Sequence, residues 1–229
     1  MKKTISAFFI MVVVSLFGFQ SFAQQGQFRG IVKYALTWEG EVPQGAPTSF
    51  EMKVYDNKTT YDDMFAGCKV ITNAENKTTY SMFDFSQVPV EGVTGKWYIK
   101  SKLEDKDFAN ITYEPTSETK EIAGRKVKKV NVTMKSDDGK EEKEVIWVSE
   151  DFGPTMDLRS YPGLKAMAFE FPVDLQKFKV TFKVSEIIEG KVKEADLLLP
   201  VGFEEVTAEE FKEIINILVE LNKGASDDI

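Results

Sequence analysis

Along most of its length the chain alternates apolar and polar residues one for one. Each alternating run is cut off by glycine, proline, asparagine or aspartate before it extends far. Lys177 to Glu186 shows this most plainly, with Phe178, Val180, Phe182 and Val184 set between Lys177, Lys179, Thr181, Lys183 and Ser185. Successive side chains on a strand point to opposite faces, so such a run is a strand with one buried and one wet side. Gln27 to Glu39 repeats the pattern, with Phe28, Gly30, Val32, Tyr34, Leu36 and Trp38 on one side. Phe50, Met52 and Val54 share a face before the turn pair Asp56-Asn57, and shorter strands are predicted over 68–72, 78–85, 111–113 and 166–171. Short strands separated by turn signals every ~10 residues predict an antiparallel open or closed barrel, or a sandwich.

Register can be predicted at one place. Ser136-Asp137-Asp138-Gly139-Lys140 separates two runs rich in β-branched residues. With Asp138-Gly139 as a two-residue type I′ turn, Val132 falls opposite Val145 and Val130 opposite Trp147, leaving Ile146 and Val148 for the other face. Ser86 to Asn110 shows no clean period; it is expected to be a solvated connection anchored by Trp97-Tyr98-Ile99, with a short helix or lid as the alternative.

Near the C-terminus the period changes from two to that of a helix. Thr207 stands at the N-cap with Glu210 three residues on, a capping box, and Phe211, Ile214, Ile215, Leu218 and Leu221 make an apolar stripe ending near Gly224. This helix is expected to pack on the sheet. At the other end, Met1-Lys2-Lys3, the apolar run Ala7 to Phe19 and the small-x-small Ser21-Phe22-Ala23 predict a signal peptide over 1–23. The apolar run is shorter than the ~20 residues a membrane span needs. One β-rich domain over 24–229, periplasmic or secreted and without a transmembrane segment, is therefore expected.

Composition narrows the chemistry. Histidine is absent from all 229 residues, which removes imidazole-activated nucleophiles and imidazole metal sites. The single cysteine, Cys68, allows no internal disulfide and reads as a small buried apolar residue. A formal charge of −8 with no basic stripe argues against nucleic acid. The carboxylate pairs Asp62-Asp63, Asp137-Asp138 and Glu141-Glu142 are strand or turn neighbours that cannot face one site together, and none fits a calcium loop. No catalytic residue, cofactor or metal is predicted, so a non-enzymatic role is expected.

Four short motifs occur in order: Gly30-Ile31-Val32-Lys33-Tyr34, Glu118 to Gly124, Tyr161-Pro162-Gly163-Leu164, and Leu199-Pro200-Val201-Gly202-Phe203. Together they resemble a family of Gram-negative envelope proteins similar to the outer-membrane lipoprotein carriers of the LolA and LolB type, and to secreted proteins named after a Gly-Leu-Pro-Gly-Leu-Ile motif. The chain departs from that pattern at Arg125 and Val127, where an aromatic residue and a cysteine are expected. The resemblance implies an incomplete antiparallel barrel, LolA-like, wrapped partly around helix, with an apolar cavity. On this reading the concave face of the sheet holds a lipid or lipidated polypeptide, lined by Tyr34, Trp38, Phe50, Met52, Val130, Trp147, Phe178 and Phe182. The alternative is an envelope structural or protein-interaction module whose core is simply filled.

Overall fold

The computed structural model describes residues 28–42, 44–64, 66–90, 93–136, 139–153, 161–174 and 177–224. The expected signal segment 1–23 lies outside them. The strands are β1 (Arg29–Gly40), β2 (Ser49–Tyr55), β3 (Lys58–Asp63), β4 (Cys68–Asn73), β5 (Thr78–Asp84), β6 (Lys96–Lys102), β7 (Ile111–Ile122), β8 (Arg125–Lys135), β9 (Glu141–Ser149), β10 (Met167–Asp174), β11 (Phe178–Glu189) and β12 (Glu204–Glu205). One helix, α1 (Ala208–Gly224), follows. All twelve strands join one sheet in the order β12-β6-β5-β4-β3-β2-β1-β11-β10-β9-β8-β7, antiparallel except where β12 lies parallel to β6. Two meanders thus meet where β11 returns to pair with β1. The end strands β7 and β12 do not pair with each other, so the sheet is open.

The sheet nevertheless curls. Phe28, just before β1, packs edge-on to Phe152, just after β9, at a centroid distance of 4.5 Å. On a flat sheet β1 and β9 would stand three strand spacings apart, ~14 Å. Arg125 of β8 pairs with Glu189 of β11, and the Tyr34 hydroxyl of β1 donates to the Ala168 carbonyl of β10 at 3.0 Å, passing over β11. Curling turns the alternating apolar face of the strands inward, and the core forms there. Gly30 is required by this closeness: a Cβ would run into the Ile188 carbonyl and the Phe28 ring.

The β8–β9 hairpin forms, but its register differs by one residue from the prediction. Val130 stands opposite Ile146, and Trp147 opposite Lys129. Ser136 N–H donates to the Lys140 carbonyl at 3.0 Å, and Gly139 N–H to the Ser136 carbonyl at 2.8 Å. With Gly139 at φ +81°, this is a three-residue loop closed by a left-handed glycine, another hairpin solution for a sequence of this kind. Asp137 and Asp138 lie outside the described residues. The slip puts Ile146 in the core, fully buried, and leaves Val145 45% exposed. The two-residue turn with both central residues at positive φ is instead Ala123-Gly124, φ 49° and 73°, which joins β7 to β8 as a type I′ turn.

Ser86 to Asn110 also differs from expectation. It contains β6, paired along its length with β5, followed by a 3₁₀ turn over Asp105–Phe108. β6 was obscure because none of its residues is fully buried, so its sequence carries no apolar alternation. α1 starts with the expected capping box: Thr207 N–H donates to Glu210 Oε2 at 2.7 Å, and Glu210 N–H to Thr207 Oγ1 at 3.1 Å. Its Phe211 ring sits 4.1 Å from Phe83 and stacks 6.3 Å from Phe85. Within the stripe Ile214 is buried while Phe211, Ile215 and Leu218 are half-buried, a shallower seat than the pattern suggested. The side chain of Leu221 lies outside those described.

Candidate functional site

The centre of the inner face is solid. Tyr34, Phe50, Phe171 and Phe182 interlock, with Phe50 5.6 Å from Phe182, Tyr34 5.9 Å from both Phe50 and Phe171, and Phe171 stacked 5.0 Å from Phe182. Met52 is fully buried among the core residues. Of the eight residues predicted to line a site, the structure therefore brings Tyr34, Phe50, Met52 and Phe182 together as packed core. Trp38 and Phe178 pair 5.4 Å apart, half-buried, and the Trp38 indole N–H donates to the Pro47 carbonyl. Trp147 does not share a face with Val130, as the predicted register required. Its ring lies beneath the Lys120 ammonium at 4.1 Å, which in turn bonds both oxygens of Glu170.

Val130 lies elsewhere, and open space is found there. Register places Tyr113 and Pro115 of β7, Lys128, Val130, Val132 and Met134 of β8, and Val148, Ile146, Glu144 and Glu142 of β9 on one face. The connection from β9 to β10 crosses that face as a strap, Tyr161 to Ala166. Two hydroxyls fix it: Tyr113 donates to the Pro162 carbonyl at 2.9 Å, and Tyr161 donates to Glu144 Oε2 at 2.7 Å. Tyr161 is itself buried and packs against Phe171 at 5.8 Å. The strap divides a single groove into two clefts of nearly equal size.

The first cleft, ≈ 490 Å³, is walled by Tyr113, Pro115, Val130 and Val148 on the sheet side and by Gly163, Leu164 and Ala166 on the strap side, with Lys128, Glu150 and Lys165 among its lining. Its volume falls in the range of small-molecule sites, ~300–1,000 Å³. The second, ≈ 460 Å³, has apolar Leu103, Ile111, Met134 and Val173, but its charged lining is wholly acidic: Asp107, Glu142, Glu144 and Asp174. Clefts persist here because the strap presents proline and glycine, whose short or absent side chains cannot interdigitate with a pleated sheet. A third hollow, ≈ 290 Å³, lies on the outer face between Tyr80, Tyr98 and Leu197 to Leu199.

Among its described lining residues the first cleft has no cysteine, serine or threonine. Its one carboxylate, Glu150, is exposed and faces Lys128 at 3.3 Å. Among the described residues no three acidic or cysteine side chains converge as a metal-binding group, and Cys68 is buried. Sequence reasoning missed Tyr113 and Lys128, and it read Asp151 to Asp174 as a crossing loop without placing it over them. The motif Tyr161-Pro162-Gly163-Leu164 was visible, but only long-range register shows which face it crosses.

No family model matches the chain, and no curated protein does. Among solved structures it is similar to LprF from Mycobacterium bovis, at 13% identity over 76% of this chain and 90% of that one, with a TM-score of 0.31. It is also similar to a LolA superfamily protein from Nitrosomonas europaea, at 10% identity over 76% of this chain and 91% of that one, with a TM-score of 0.29. Among the described residues no helix is long and apolar enough to cross a membrane.

Proposed function

We propose that this is a non-enzymatic envelope protein, periplasmic or secreted, that holds an apolar ligand such as a lipid or the acyl part of a lipidated polypeptide. The observation that carries this reading is the first cleft, a ligand-sized hollow with apolar sheet and strap walls, set beside a filled core and less acidic than the second cleft. Of the residues expected to line such a site, Val130 does so. Tyr34, Phe50, Met52 and Phe182 belong to the filled core beside it.

The test is uptake of an environment-sensitive apolar fluorophore by the purified protein, with Ala166→Leu as the blocking variant. Ala166 is 5% exposed and lines the cleft, so the larger side chain fills empty space. The expected result is saturable uptake by the parent, loss of uptake in the variant and an unchanged melting temperature. Absence of uptake by the parent overturns the reading and favours the second one, an envelope interaction module with a filled core. The observation behind that alternative is the interlocked Tyr34, Phe50 and Phe182 centre.

A further inference from the structure

The two clefts match in size and oppose each other in charge. The first is lined by two lysines and one glutamate, the second by four carboxylates and no cation. The chain as a whole is acidic, so a locally cationic rim runs against its average. Lys128 shares its ammonium with Glu150, at 3.3 and 3.4 Å from the two oxygens. Lys165, on the strap, is exposed and has no carboxylate partner among the described residues. The buried part of the lining includes Val130, Val148, Leu164 and Ala166, while both lysines are exposed.

We propose that the first cleft selects an anionic amphiphile, a long-chain carboxylate, whose tail lies against Val130, Val148 and Leu164 and whose head is received by Lys165 with Lys128 beside it. This rests on the binding role proposed above and names the chemistry of the ligand. A single negative charge suits the rim: two ammonium groups less the Glu150 carboxylate leave one positive charge, and a dianionic head would meet Glu150 at close quarters. The second cleft excludes the same ligand, because a carboxylate placed among Glu142, Glu144, Asp107 and Asp174 is repelled.

The experiment compares a fluorescent polyene fatty acid with its methyl ester, on the whole protein and at low and high salt. The acid is expected to bind more tightly than the ester by about tenfold, the order of one charge-assisted hydrogen bond at a partly exposed site. Lys165→Gln combined with Lys128→Gln lowers the acid to the level of the ester and leaves the ester unchanged, and raising the salt narrows the gap in the parent alone. Glu142→Gln, in the second cleft and without a bond to the strap among the described residues, leaves acid binding unchanged. If acid and ester bind equally, or if the lysine variants weaken both alike, the anionic preference is wrong while the binding role stands. If Glu142→Gln is the variant that alters acid binding, the ligand sits in the other cleft and the proposal is overturned. If neither probe binds, both the proposal and the binding role fail.

Discussion

The middle of the sheet and its β7–β9 wing are built from the same alternating strand pattern, yet one is filled and the other hollow. In the middle, β1 lies between β2 and β11, and curling brings Tyr34, Phe50, Phe171 and Phe182 into contact from four strands. Large side chains on regularly spaced strands can interdigitate, and they do. The wing lies at an open edge and is crossed by the irregular strap, which the Tyr113 and Tyr161 hydroxyls tether and which buries Tyr161, Leu164 and Ala166. A surface crossed by one irregular segment bearing proline and glycine keeps space that a surface met by large side chains from several regular strands does not.

The largest expected effect of this contrast is on stability. Phe182→Ala, in the filled centre and 1% exposed, is expected to cost about 3–5 kcal/mol in urea unfolding. Leu164→Ala on the strap, 8% exposed and already bordering a hollow, is expected to cost roughly 2 kcal/mol, near the lower end for such truncations. Equal losses at the two positions would mean that the wing is packed as tightly as the centre.

Phe211→Ala, which removes the ring that seats α1 on Phe83 and Phe85, should come next, at roughly 1–2 kcal/mol, because a half-buried aromatic gives only part of its full burial energy. Differential scanning calorimetry decides this one. A loss matching that of Phe182→Ala would place the helix in the core rather than at its margin.

Ser149→Ala sharpens the comparison in the opposite direction. The Ser149 hydroxyl, at the end of β9, is the one buried side-chain polar atom without a hydrogen-bond partner among the described residues. Removing an unsatisfied buried hydroxyl is expected to raise stability by about 1 kcal/mol. A fall in stability on this substitution would show that the hydroxyl is bonded in solution.

The smallest effect is on pH dependence, and it falls on the region around α1. The Lys96 ammonium, with the Ser86 hydroxyl and N–H, holds the Asp84 carboxyl down to about 2, and the Thr207 N–H and hydroxyl hold Glu210 below the usual glutamate range. A carboxylate depressed by folding stabilises fully above its unfolded pKa, and that contribution is lost as pH falls through the folded value. The melting temperature of the parent should therefore exceed that of Glu210→Gln at about pH 6, the two converging as the pH falls through the depressed folded value of Glu210. A gap that widens on acidification would reverse the assignment.

Much of this molecule is legible in its residues alone. The alternation of Phe178 to Val184 and of Phe28 to Trp38 determines strands with one buried face, because the period of a strand is set by covalent geometry. Thr207 with Glu210 determines where α1 begins, because both capping partners lie within one turn. Other features were settled only by tertiary contact. β6 owes its place to hydrogen bonds with β5. Two loop lengths suited Ser136 to Lys140, and the choice between them decided whether Ile146 or Trp147 entered the core. The candidate site belongs to this second group. Val130, Lys128, Tyr113 and Leu164 come from three separate elements, and no local pattern records that a strap fifty residues downstream of Tyr113 crosses the same face, held there by a hydroxyl 2.9 Å from the Pro162 carbonyl.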